Sequence, residues 1–157
     1  MTEDLTLEPE VADFVERMGL AYEHMGIART AGRLFGLLMI VDEPQCLDGL
    51  AKTLQVSKAS ISTNVRMIYR MGLVSRITRP GDRRDYYRVR PGALERAVER
   101  RVAATREFID LAQMGIDAVG EAHPAGRERL VEMRDYYRFM ADGLRDLADR
   151  WKEGARG

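Results

Sequence analysis

Leu47-Asp48-Gly49-Leu50-Ala51-Lys52-Thr53-Leu54-Gln55-Val56-Ser57-Lys58-Ala59-Ser60-Ile61-Ser62-Thr63-Asn64-Val65 is the stretch from which the fold follows. Its apolar positions have the spacing of a helix-turn-helix. Leu50 and Leu54 bury the first helix, the small Ala51 lets the two helices approach, Val56 plugs the turn, and Ile61 and Val65 seat the second helix. Ser57 stands where a cap accepts a hydrogen bond from the second helix's free amides. With about 100° per residue, Ala59, Ser62, Thr63, Arg66 and Arg70 point away from Ile61, while Ser60 and Asn64 lie on the flank. Hydroxyls, an amide and guanidinium groups on one short helix face suit the base edges and phosphates of a major groove. Ser57 and Lys58 sit at the helix N-terminus, where free N–H groups and the helix dipole favour a phosphate. The bland alternative is a solvated helix face in an unrelated helical protein.

Beyond this unit, Ile68 continues the apolar face and Gly72 stops the helix. The period then changes to two, and Leu73 to Arg79 and Tyr86 to Arg90 read as strands joined across Pro80-Gly81-Asp82. Pro80 and Gly81 suit the centre of a type II turn. Arg79, Arg83 and Arg84 cluster at the hairpin tip, and from Lys52 to Arg90 ten basic residues face only Asp82 and Asp85. Solubility does not require such clustering. An arginine-bearing tip beside a recognition helix suits the narrow, electronegative minor groove, and Asp82 is placed to brace Arg84 by a charge-assisted hydrogen bond.

Upstream, Pro9 to Met25 is a helix with Val11, Phe14, Val15, Met18, Tyr22 and Met25 on its apolar stripe and Gly26 as its stop. Thr30 is expected to cap a second helix with Leu34, Leu37, Leu38 and Val41 inward, ended by Asp42-Glu43-Pro44. Downstream, Pro91 restarts a helix through Leu94, Val98, Val102, Ile109, Ala112, Ile116 and Val119, broken at Ala122-His123-Pro124. The last helix carries Leu130, Met133, Tyr137, Met140, Leu144, Leu147 and Trp151 in an unbroken heptad seam. Long helices with narrow apolar seams need a partner surface, and a second subunit is the economical one, with Phe14 of the first helix joining it. Folding back onto their own domain is the monomeric alternative. The predicted fold is mainly α with a small β-hairpin wing: an N-terminal dimerisation helix over 1–25, a winged helix-turn-helix over 26–92 and C-terminal dimerisation helices over 93–157.

The chain has 157 residues, 45% hydrophobic and 32% charged, with a single Cys and a formal net charge of zero. That describes a soluble domain in a reducing, cytoplasmic setting and excludes a disulfide framework. The longest apolar run, Leu34 to Val41, is too short to span a bilayer. The neutral total hides an asymmetry: residues 1–45 carry 3 basic and 9 acidic side chains, 46–101 carry 13 and 5, and 102–157 carry 9 and 11. A basic middle between acidic flanks is the distribution of an anion-binding module. His24, Cys46 and His123 lack ligand spacing, so no metal or other cofactor is expected. No nucleophile, base and oxyanion arrangement is present, so no enzyme is expected. Cys46 is read as a small buried residue rather than a redox switch, there being no second Cys to resolve it. Tyr22, Tyr136, Tyr137, Phe139 and Trp151 are read as core or dimer seam rather than an aromatic box for a cationic effector.

Three blocks resemble the MarR superfamily of winged helix-turn-helix repressors, and within it the GbsR-type branch: Gly26 to Gly36, Val56 to Arg66, and Pro80 to Tyr87. The resemblance implies a homodimer joined by its terminal helices, a recognition helix from Ser57 to Met71, and a wing whose Asp82 and Arg84 match the superfamily's Asp-x-Arg pattern. It also implies that a small-molecule effector, where one exists, acts between the DNA-binding lobe and the dimer helices. The chain departs from the pattern at Cys46, where a Ser cap is usual, at Gly49, where Glu completes a capping box, and at Gln55, where the turn usually has Gly. Residue 55 is expected either at positive φ, bearing the crowding that Gly avoids, or in ordinary helical geometry with its amide capping a carbonyl. The expected function is a homodimeric regulator, a repressor, that reads a pseudo-palindromic double-stranded DNA operator. The alternative is a winged-helix interaction module that docks protein and not DNA.

Overall fold

The computed structural model describes residues 6–154, which divide into two compact units, one running to Ala93 and the other starting at Leu94. The first contains α1 (Pro9–His24), α2 (Arg29–Ile40), β1 (Gln45–Cys46), α3 (Leu47–Leu54), α4 (Lys58–Arg70), β2 (Val74–Thr78) and β3 (Asp85–Val89). α5 (Ala93–Val119) and α6 (Pro124–Gly154) follow. Leu34 and Leu37 of α2, Leu50 and Leu54 of α3, Ile61, Val65 and Ile68 of α4, and Val74 of β2 form the core of the first unit, all essentially inaccessible to solvent. Each such side chain contributes about 1.5–3 kcal/mol on burial; Leu50, Leu54, Ile61 and Val65 are the positions that the helix-turn-helix spacing assigns inward, and Leu34 and Leu37 those of the α2 stripe.

Several boundaries differ from the sequence expectation for local reasons. α2 is preceded by Ala28 rather than capped by Thr30, and the Ala28 carbonyl takes the Ala31 amide at 2.9 Å. α5 starts at Ala93, two residues after Pro91, because Gly92 at φ +69° turns the chain first. The helix expected to end near Ala122 stops at Val119, before Gly120 at φ +53°, and Pro124 opens α6. The strands run over 74–78 and 85–89, a residue short of or offset from the expected bounds.

A third strand was not expected. β1 pairs antiparallel with β3, Gln45 opposite Tyr87 and Cys46 opposite Tyr86, giving the sheet order β1-β3-β2. Cys46 is buried in this pairing and precedes α3 without a side-chain cap bond, as its replacement of a hydroxyl residue implied.

α1 packs along α2 within the same unit as the winged helix. Glycines make that approach close. A Cβ on Gly32 would stand 2.5 Å from the Met18 carbonyl oxygen, and one on Gly36 would stand 2.9 Å from Met18 Cβ. Arg33, between them, pairs with Glu16 of α1 at 2.6 Å and donates to the Leu54 carbonyl at the end of α3 at 3.0 Å.

In the second unit α5 and α6 form an antiparallel hairpin. Phe108 stacks on Tyr137 with centroids 4.7 Å apart, and Arg134 donates to Gln113 at 3.0 Å. Lys152 reaches Glu99 at 3.3 Å. A two-helix hairpin buries only the stripe between its helices: Ala112, Ile116 and Ala141 are buried, while Leu147 and Trp151 remain 59% and 58% exposed. Leu130, Met133, Met140 and Leu144 of the same seam, and Tyr137 under Phe108, are half-buried, and Phe14 of α1 is exposed.

Candidate nucleic-acid interface

α3 and α4 meet through a turn with a defined hydrogen-bond pattern. The Val56 amide donates to the Ala51 carbonyl at 3.1 Å and the Gln55 amide to that of Lys52 at 3.3 Å, with Gln55 itself at φ 54°, ψ 44°. This is a Schellman ending with Gln55 in the left-handed position, so of the two geometries expected at residue 55 the positive-φ one occurs. Ser57 then caps α4, its hydroxyl accepting from the Ser60 amide at 3.2 Å.

The face that α4 turns to solvent is close to the one expected. Ala59, Thr63, Arg66 and Arg70 are exposed, and Ser60 and Ser62 are half-buried. Arg66 donates from Nε to the Ser62 carbonyl at 3.2 Å, which leaves its terminal nitrogens outward. Two candidates are engaged elsewhere. Lys58 pairs with Asp48 at 2.7 Å, an exposed pair that solvent screens. Asn64, expected on the flank, is only 7% exposed and donates to the Ser60 carbonyl at 2.9 Å, because it packs on the side of α4 that carries Ile61 and Val65.

The wing is built on a turn and a latch. Gly81 has φ +78° and the Asp82 amide donates to the Arg79 carbonyl at 3.1 Å, the geometry that Pro80-Gly81 favours. The Asp82 carboxylate then takes the Arg84 backbone amide at 2.9 Å, Arg84 Nε at 3.0 Å and Arg84 Nη2 at 2.7 Å, and the Tyr86 hydroxyl donates to it at 2.6 Å. The Arg84 side chain foremost, and then the Tyr86 hydroxyl, hold the Asp82 carboxyl well below the usual carboxylate range. Reciprocally, the bond to Asp82 raises the Arg84 guanidinium, and the same carboxylate is the main cause of the raised Tyr86 phenol.

Arg79 lies over the Tyr86 ring, 4.1 Å from its centroid, and 3.8 Å from Glu43. Of the three tip arginines, Arg84 is therefore spent inside the hairpin and Arg79 partly so. Arg83 is exposed and has no partner among the described residues. The part played by Tyr86 was not foreseen. Its signal was present in the spacing of Asp82, Arg84 and Tyr86, near enough in sequence for both partners to reach one carboxylate.

Known proteins resemble this chain over much of its length. The sequence signature of MmpR5-like MarR family transcriptional regulators matches residues 92–154. The HTH-type transcriptional regulator MmpR5 of Mycobacterium tuberculosis (strain ATCC 25618 / H37Rv) is 40% identical over 147 residues, which are 93% of this chain and 89% of that protein. A transcriptional regulator of known crystal structure superposes with a TM-score of 0.83 at 40% identity, over 92% of this chain and 99% of its own. With likeness of this degree over nearly its whole length, the chain belongs to the MarR family of winged helix-turn-helix transcriptional regulators, and its resemblance within that family is to the MmpR5-like members.

Proposed function

We propose that the chain acts as a homodimeric repressor, cytoplasmic and without catalytic activity, that binds a pseudo-palindromic duplex. In this reading Ser57, Ala59, Ser60, Ser62, Thr63 and Arg66 face the major groove, Lys58 adds a screened charge at the helix N-terminus, and Arg83 and Arg79 reach the flanking minor groove. Asp82 and Arg84 hold the wing in the shape that presents Arg83. The observation that carries the reading is the latch itself: four donor groups on one carboxylate order a hairpin whose free guanidinium stands at its tip. A module that docks protein has no need of that arrangement. The half-exposed seam of α6, with Leu147 and Trp151, supports dimerisation through the terminal helices, as it lacks cover in a single chain. The likeness of residues 26–36, 56–66 and 80–87 to the GbsR-type branch belongs to this proposal as a finer placement beside the MmpR5-like match.

Selection of bound sequences from a random duplex pool tests the reading. A dimer of this kind enriches inverted half-sites about 10–10.5 base pairs apart or a multiple of that, with affinity that falls steeply as salt rises. Retention that ignores salt, or no enrichment, favours the protein-docking module.

A further inference from the structure

A notch of about 270 Å³ opens between the second half of α4 and the wing strands, lined by Arg66, Tyr69, Arg70, Arg76 and Tyr87. Arg66 and Arg70 are one helical turn apart on α4, and Arg76 sits directly opposite Tyr87 in the β2–β3 register, so both strand residues share the sheet face turned toward α4. Tyr87 is buried and floors the notch with its ring; the three guanidinium groups are exposed at its rim. Arg76 has one weak partner, Asp85 at 3.4 Å, while neither Arg66 nor Arg70 is paired with an acidic side chain among the described residues. Three cations converge here from two consecutive elements, a helix and the strand that follows it, with one screened carboxylate to offset them. Packing of the core does not require this, and although Arg66 belongs to the base-reading face, neither that face nor the wing tip accounts for Arg70 and Arg76 standing together.

We propose that this notch seats a backbone phosphate of the bound duplex. The inference rests on the DNA-binding reading above and deepens it. In B-form DNA the phosphodiester strand is the ridge between major and minor groove. If α4 enters one groove and the wing tip the next, the intervening ridge passes between helix and hairpin, where the notch lies. Arg70 and Arg76 close on the phosphate oxygens from opposite sides, with the Tyr69 hydroxyl able to donate as a neutral third partner. Contacts of this kind fix the register of the protein on DNA and carry no sequence information, so the seat positions the base-reading residues Ser62 and Thr63.

The test measures affinity for an enriched operator and for an unrelated duplex at several salt concentrations, using the full-length protein and its Arg70→Gln, Arg76→Gln and Arg88→Gln variants. Arg88 carries the same charge on β3 but alternates to the other face of the sheet, so its variant controls for net charge. Loss of one seat contact per protomer lowers the log–log salt slope by about 0.9 for each site, about 1.8 for a dimer. Arg70→Gln and Arg76→Gln are expected to show this drop and to lose affinity by the same factor on both duplexes, with melting temperatures unchanged; Arg88→Gln is expected to change the slope much less. Slopes equal to wild type in both notch variants, or an equal drop in Arg88→Gln, overturn the seat while leaving DNA binding intact. A wild-type protein whose retention on duplex is independent of salt overturns the DNA reading and the seat with it.

Discussion

Replacing Gln55 by Gly probes the turn on which the helix-turn-helix depends. α1, α3 and α4 end in the same hydrogen-bond pattern: Ile27 to Tyr22 and Gly26 to Glu23, Val56 to Ala51 and Gln55 to Lys52, Leu73 to Ile68 and Gly72 to Tyr69. In the first and last the left-handed residue is Gly, at φ +74° in both; in the middle one it is Gln55 at φ 54°. A Cβ in that region costs about 1–2 kcal/mol, and the greater freedom of Gly in the unfolded chain returns about 0.4–1 kcal/mol of it. The net expectation is a gain of about 0.5 kcal/mol. In a unit of about 90 residues that raises the melting temperature by about 2–4 °C, followed by circular dichroism at one fixed protein concentration. Gln55→Ala is the companion: it keeps the Cβ and should show no gain. Operator affinity should be preserved in both, since residue 55 lies outside the outward face of α4. A fall in melting temperature for Gln55→Gly, or an equal rise for Gln55→Ala, refutes the argument from backbone strain.

The latch and the tip separate by mutation. Arg83→Ala should lower the salt slope of binding by about 0.9 per lost contact without changing the hairpin, whereas Arg84→Ala should raise amide exchange across residues 79–86 and weaken binding through loss of wing order. The latch is also insensitive to pH in the neutral range: a carboxylate whose folded value is depressed gives its stabilisation above the ordinary carboxylate range and loses it only as pH falls through the lowered value. Operator titrations between pH 5.5 and 8 should therefore show no step from Asp82, and a step there that vanishes in Asp82→Asn contradicts the assignment. Leu147→Asp should weaken the dimer in analytical ultracentrifugation while α6 stays helical, because the side chain is already open in the single chain; an unchanged dimer removes that part of α6 from the interface. Gly32→Ala should destabilise the protein: opening the α1–α2 contact costs about 1–3 kcal/mol, and the helix propensity of Ala recovers about 1. A higher melting temperature there would falsify the close-packing account.

The readings that held are those whose physics is local. A cap, a turn or a stripe is written within a few residues, so Ser57 as N-cap, Pro80-Gly81 as the wing turn and Leu50, Leu54, Ile61 and Val65 as the packed faces followed from residue type and spacing alone. Gln55 was legible in the same way, as a residue out of place in a turn that constrains φ. β1 was not legible, since two residues have no period, and Gln45 and Cys46 become a strand only because β3 offers them an edge. The burial of Asn64 escaped for a similar reason: at the flank of a helix, a small rotation decides between solvent and core.

By itself the sequence determined the winged helix-turn-helix, the polar outward face of α4, the arginine-rich hairpin tip and the apolar seam of the last helix, because periodicity and turn chemistry act over one or two helical turns. The pairing of Asp82 with Arg84 was legible as well, but tertiary structure alone decided that Arg79 lies over Tyr86 beside Glu43, which leaves Arg83 as the tip guanidinium with no partner among the described residues. It alone let Gly32 and Gly36 bring α1 onto α2, and it alone brought Arg70 of a helix and Arg76 of a strand to one notch. Those outcomes depend on strand register and on the angle at which elements pack, and both are set by the whole core rather than by any short stretch of chain.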